Sequence, residues 1–339
     1  MRQIIGFDVP NRELKWLVIS NFSIDFGYLL DEILPDVLQF HRVVVFYHGG
    51  INESAVMKWR ELLVGSGNTV DFVALSPSDP PYSTTNPLPV QIDYGINHTK
   101  MFLTGYDEVI DGKRQSFIRV AIHTSNLLEG DNQLKANGVY VQNFPLKEQT
   151  QGRAMQNDYK RMKSDDATCL FEEDLCRYVK SYGYTKRQRW TCPAVGVQGD
   201  SSRTSSNGEF SLAELIRLYD YSSAYAVLIP SVPGRHKSDT YHNFGYLKLR
   251  KAIMDSFPAA RQAVGKGKKP PVMCQVSSLG KLNTKWLSKF HEAIDYTTTH
   301  SARPVEDYHA KFSKKNVVLE TNLRIVWPTV EEIRNSVEG

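Results

Sequence analysis

The residues of this chain best suited to chemistry stand in one short run, Asp93-Tyr-Gly-Ile-Asn-His98-Thr-Lys100-Met. A second run, Ile122-His-Thr-Ser-Asn126-Leu, follows further along. His98 and Lys100 are two apart on a stretch expected to be extended, which sends both side chains to the same face. An imidazole is a competent nucleophile toward phosphorus, and a neighbouring ammonium can neutralise a phosphodiester oxygen. The amide of Asn126, at the end of a later strand, can donate to the same oxygens. Phosphoryl transfer needs little more than a positioned nucleophile and donors aimed at the equatorial oxygens, so neither metal nor cofactor is expected. Spacing alone does not single this pair out. With 9 His and 22 Lys in 339 residues, about 0.6 His-x-Lys pairs arise by chance. A second, His309-Ala-Lys311, does occur, in a polar stretch.

The elements that must position these groups read as α/β layers. Strands are expected over 14–22, 42–47 (the apolar run RVVVFY, a strand covered on both faces), 69–74, 99–103, 117–122 and 138–142. Helices are expected over 26–34, with Phe26, Leu29, Leu30 and Ile33 on one face, over 53–64, and over 168–182, with Leu170, Leu175, Tyr178 and Val179 as its apolar stripe. Segment 76–90 is proline-rich and loop-like. Segment 183–209 is basic and then Gly/Ser-rich, a linker composition. Ser211-Leu-Ala-Glu214 is a capping box opening a helix. A second block repeats the logic: strand 225–230, helix 242–256, strand 272–277, helix 284–296, strand-rich 317–327, and a short helix capped by Thr329 and Glu332.

Composition narrows the class. Length favours two domains. Hydrophobic residues at 41% and charged residues at 23% are ordinary folded proportions, which excludes disorder, collagen and coiled coil. Four cysteines without a CxxC or zinc spacing argue against a disulfide scaffold or a zinc site and fit a reducing compartment. No apolar run is long enough to span a membrane, and the N-terminus lacks a signal-peptide layout, so a soluble intracellular protein is expected. The net charge of +4 conceals an asymmetry. Residues 230–290 hold twelve Lys and Arg against two Asp, a local +10, and the rest of the chain carries −6. Such a basic segment suits phosphate contacts along a nucleic-acid strand.

Taken together, the ordered motifs resemble the tyrosyl-DNA phosphodiesterases of the phospholipase D superfamily. The resemblance rests on Asp93 to Met101 and Ile122 to Leu127, on Ser20-Asn-Phe-Ser-Ile-Asp25, and on Ser231-Val-Pro-Gly-Arg235 with Asn243 to Leu249. It continues through Gln275-Val-Ser277-Ser278-Leu-Gly280 and Trp327-Pro-Thr-Val-Glu-Glu to Gly339. It implies two phospholipase D-like α/β/α sandwich domains related by pseudo-two-fold symmetry. These would be 1–220, with an insertion at 183–209, and 221–339, incomplete before its own motif. It implies a DNA-repair hydrolase acting on 3′-phosphotyrosyl and related 3′-end adducts, such as stalled topoisomerase I peptides. In that scheme His98 is the nucleophile that becomes phosphohistidine, and Lys100 and Asn126 hold the non-bridging oxygens. Tyr94 stacks on a base, and Ser277 and Ser278 contact DNA.

The implied partners are single-stranded DNA and DNA with blocked 3′ ends; no membrane is expected, and the protein would be a nuclear monomer. Two departures stand out. Gly105 occupies a position where the wider superfamily, though not this family, has Asp, and Asn97 stands where many members have a second His. The family's second His-x-Lys follows the segment at which this chain ends, so an incomplete, impaired site is expected. A catalytically dead DNA-end-binding module and another nuclease of the superfamily are the alternatives.

Overall fold

The computed structural model describes residues 1–7, 10–35, 39–48, 53–63, 68–74, 96–147, 169–182, 190–191, 209–232, 236, 238–256, 272–276, 280, 283–294 and 323–336. The chain divides into two compact units, Met1–Arg235 and His236–Gly339.

The first unit runs α1 (Arg2–Ile5), β1 (Arg12–Asn21), α2 (Phe26–Tyr28, continuing as a π-helical turn over Leu29–Ile33), β2 (Arg42–Tyr47), α3 (Glu53–Leu63), β3 (Thr69–Ala74), β4 (Met101–Ile110), β5 (Lys113–His123), α4 (Glu129–Gln133), β6 (Val139–Pro145), α5 (Leu170–Ser181), the two-residue strands β7 (Trp190–Thr191) and β8 (Glu209–Phe210), and α6 (Leu212–Ile216). Six strands form one mixed sheet in the order β3-β2-β1-β4-β5-β6. β1 to β3 pair in parallel, and β4 to β6 join as antiparallel strands.

Side chains alternate between two cores, as period-two pleating demands. Trp16, Val18, Val44, Phe46, Leu103 and Val120 face one core with Phe171, Leu175, Tyr178 and Val179 of α5. Leu17, Ile19, Val43, Val45, Phe72 and Phe102 face the other, with Phe26, Leu29, Leu30, Ile33 and Trp59. Burial on both faces is why these strands read as continuous apolar runs rather than alternating ones. The result is a mixed α/β unit with helical elements over both faces of its sheet.

Local chemistry explains the ends of the elements. Asp25 caps α2, accepting from the N–H groups of Gly27 and Tyr28 at 2.9 and 3.0 Å. Ser211 and Glu214 form both bonds of the capping box that opens α6. β4 turns into β5 through Asp111-Gly112, both at positive φ (51° and 72°), between the paired residues Ile110 and Lys113. This is the two-residue turn whose twist matches a hairpin.

Several expectations shift. Leu170 does not join the apolar stripe of α5: it is 54% exposed, and Phe171 takes its place in the core. The strand expected from Thr99 begins at Met101, leaving His98 to Lys100 as the lead-in to it. Residues 225–230 are not part of any ladder, although Tyr225 donates its hydroxyl to the Val141 carbonyl at 3.2 Å.

In the second unit a 3-10 turn (Ser238–Asn243) precedes α7 (Gly245–Ser256), so the helix starts later than its apolar pattern suggests. Then come β9 (Val272–Gln275), α8 (Thr284–Ile294), β10 (Leu323–Val326) and α9 (Val330–Arg334). β9 and β10 pair in parallel, Leu323 opposite Val272. Thr329 and Glu332 complete the capping box of α9. Among the described residues no helix is long and apolar enough to cross a membrane.

Candidate active site

The hairpin register brings the two motif runs together. Met101 lies opposite Ile122, and the His123 N–H donates to the Lys100 carbonyl at 3.0 Å. The lead-in to β4 and the exit from β5 therefore meet at one edge of the sheet. The ends of β1 and β2 arrive at the same edge, because Ser20 pairs with Met101 and Asn21 with Tyr47.

His98 and Lys100 share a face, as their spacing predicts. Lys100 Nζ lies 3.2 Å from each His98 ring nitrogen and donates to the His98 carbonyl at 3.1 Å. Phe22, just past β1, sits beside both: its ring centroid is 4.8 Å from that of His98, and Lys100 Nζ is 5.7 Å from it. The imidazole is exposed, while Lys100 is only 4% exposed. Burial pulls Lys100 down to about 8, with the Asp131 carboxylate opposing. Burial also lowers His98, and the Lys100 charge adds to it. A histidine held below its ordinary range is neutral at pH 7, the form a nucleophile needs.

Asn126 is half-buried two residues past Thr124, in the turn leading to α4. Its Nδ2 and its backbone N–H both donate to Asp131 Oδ2, at 2.8 and 3.1 Å. Its Oδ1 is buried with no hydrogen-bond partner among the described residues. One amide hydrogen is thus committed, and one remains for a ligand.

Beneath His98 lies a buried hydroxyl network on the opposite face of the sheet. The Tyr178 hydroxyl donates to Asn97 Oδ1 at 3.2 Å and contacts Thr99 Oγ1 at hydrogen-bonding distance, so it touches both neighbours of His98. Tyr182 donates to Tyr178 at 2.6 Å, and Ser20 Oγ lies 2.9 Å from the Tyr182 hydroxyl. Asn97 Nδ2 reaches Ser20 Oγ at 3.4 Å. Replacing Tyr178 with Phe leaves several of these buried groups short of a partner. A loss of about 1–3 kcal/mol in denaturant unfolding is expected.

A family model of the tyrosyl-DNA phosphodiesterases matches residues 2–339. The chain belongs to the tyrosyl-DNA phosphodiesterase family. It is also 25% identical to Tyrosyl-DNA phosphodiesterase 1 of Arabidopsis thaliana over 332 residues, 98% of this chain and 44% of that protein. The chain therefore spans less than half the length of that relative.

Within this family frame, Asn97 is instructive. It is buried and faces the Tyr178 network, not the His98 side, so its place beside the histidine leaves the imidazole free. Three other groups stand at this edge: Asn21 and His123, inside two of the motif runs but given no role there, and His48, which lies in none. Asn21 donates to the Ser125 carbonyl at 3.3 Å. His48, after β2, stacks on Phe22 with centroids 5.4 Å apart and planes 19° apart. His123 stacks on Phe102, and burial, with the Lys100 charge adding, lowers it to about 4 against the opposing Ser125 backbone. Tyr94, Ser277, Ser278 and the His309–Lys311 pair lie outside the described residues. No group of three His, Cys, Asp or Glu side chains suited to a metal occurs among the described residues.

Proposed function

We propose that this chain carries the nucleophilic half of a DNA-end phosphodiesterase that removes 3′-phosphotyrosyl and related 3′ adducts, such as topoisomerase I-derived peptides. The observation that carries it is the buried Lys100 ammonium 3.2 Å from the ring nitrogens of an exposed His98. His98 attacks phosphorus, the phosphorus–oxygen bond to tyrosine breaks, and the phosphoryl–DNA end is left on the imidazole. A phenol, with an unperturbed pKa near 10, is an adequate leaving group once protonated. In the family scheme a second histidine delivers that proton and later activates water; it is assigned to no residue described here. Lys100 and the free amide hydrogen of Asn126 hold the two non-bridging oxygens as charge develops.

DNA would be gripped by Tyr94, by Ser277 and Ser278, and by the basic residues between 230 and 290. These contacts track phosphates without reading sequence. Within this reading the protein acts in nuclear DNA repair and needs no cofactor. The basic segment also favours a second reading, a DNA-end-binding module without turnover.

The test is to mix the chain in excess with a 3′-phosphotyrosyl oligonucleotide. Free tyrosine and an acid-labile, alkali-stable protein–DNA adduct at His98 are expected. Binding without adduct would leave only the end-binding module.

The pH dependence of that first step follows from the two shifts. The rate rises with pH as His98 loses its proton, below the usual 6.5. It falls as Lys100 loses its proton at about 8. A bell with its alkaline limb near pH 8 is expected in single-turnover rates; a plateau through pH 10 would remove Lys100 from the step.

A further inference from the structure

Asp131, five residues after Asn126 on α4, has no task in the scheme above. Its Oδ2 accepts twice from a single residue, from the Asn126 backbone N–H at 3.1 Å and from Asn126 Nδ2 at 2.8 Å. Its Oδ1 accepts from Lys135 Nζ at 2.7 Å, and its side chain is 14% exposed. A carboxylate can only accept, so it decides which end of the Asn126 amide faces it. The nitrogen turns to Asp131, and Oδ1 turns away into a buried position with no partner among the described residues.

The turn itself is clamped by the same helix. Asn132 Nδ2 donates to the Asn126 and Leu128 carbonyls at 3.1 and 2.7 Å. The Ser125 hydroxyl donates to Asn132 Oδ1 at 2.8 Å. Asn137 Nδ2 donates to the Asp131 carbonyl at 2.7 Å. Asn126 is thus held from both its backbone and its side chain.

Lys100 has titratable groups on several sides. His98 lies on its own segment, His123 at the end of β5 feels its charge, and His48 stands behind Phe22. Asp131 on α4 brings negative charge to this set, and that charge favours the ammonium.

We infer that Asp131 is a positioning residue of this site: its carboxylate fixes the Asn126 amide in one orientation beside a bound phosphoryl group. The phosphoryl group rests on the function proposed above; the hydrogen bonds to Asn126 do not. Asp131 touches no reacting atom and acts through Asn126.

The test compares wild type with Asp131→Asn and Asp131→Ser. Nitrogen-15 NMR follows the two Asn126 side-chain amide protons and their exchange with water, and single-turnover adduct formation is measured on the same samples. In D131N and D131S the Asn126 amide resonances should shift, and the rate should fall about tenfold. Thermal melts check the fold, and D131S supplies the same comparison should D131N fail to fold. Lys135→Ala, which removes only the outer ion pair, should stay within about twofold of wild type. Unmoved Asn126 amide resonances would overturn the inference, with or without a slower rate. So would K135A reproducing D131N. A wild-type chain that forms no adduct defeats the phosphodiesterase reading instead, and the NMR comparison still decides on Asp131.

Discussion

Replacing His98 with alanine is expected to abolish tyrosine release and the covalent adduct, a fall of about a thousandfold or more in the single-turnover rate. The imidazole is the one group in the His98–Lys100–Asn126 set able to attack phosphorus, since an ammonium at pH 7 has no free lone pair. Lys100 and Asn126 alone can hold the phosphate but have no bond to offer it. The same substitution should leave the fold intact. His98 is exposed, and among the described residues its side chain meets Lys100 Nζ and the Phe22 ring. An exposed side chain of this kind is worth within about 0.5 kcal/mol of stability. Measuring adduct yield and melting temperature on one preparation separates the two effects. Retention of the adduct in H98A would place the nucleophile elsewhere.

The largest structural effect is expected at Gly105. β1 and β4 slip register between Leu14 and Trp16, and this brings Gly105 opposite Trp16. A Cβ added at Gly105 would lie 2.0 Å from Trp16 Nε1 and 2.1 Å from Cε2. Trp16 is 2% exposed inside the core beneath α5, so its ring has nowhere to go without displacing neighbours. Gly105→Ala should destabilise the first unit by about 3 kcal/mol or more, at the upper end for overpacking. Aspartate adds a buried charge and should prevent folding. Trp16→Leu supplies the check: the double variant G105A/W16L should be less unstable than the two single losses added together. Full additivity would mean that the indole is not what the new methyl meets. The contact also gives a steric reason why the Asp of the wider superfamily has no room in this chain.

Much of the site was legible because its signals are local. Two residues apart on extended backbone means one face, and His98 and Lys100 do meet. Capping boxes at Ser211 and Thr329 are read within four residues, and both form. The structure adds the Asp111-Gly112 turn, and the ten-residue register it sets delivers Asn126 to the edge occupied by His98. Leu170 is a misreading of a local signal. Phe171, not Leu170, stands four, seven and eight residues before Leu175, Tyr178 and Val179, so helical spacing puts Phe171 on the stripe, and there it packs.

What the sequence determined by itself is the set of groups on offer and the layered class of the fold: an imidazole, a cation and an amide, on strands apolar enough to be covered on both faces. Only the tertiary structure decided the state of those groups. Lys100 is lowered to about 8 because packing removes it from water, and burial is set by elements far away in the chain. Asn126 points one amide end at Asp131 because a short helix folds back on its turn. His98 is flanked by residues tied to Tyr178, eighty positions downstream, because α5 lies under that edge of the sheet. Residue type and spacing are carried by the backbone's short period. Desolvation and electrostatic neighbourhood belong to whatever the fold brings alongside, and no window of sequence contains both partners.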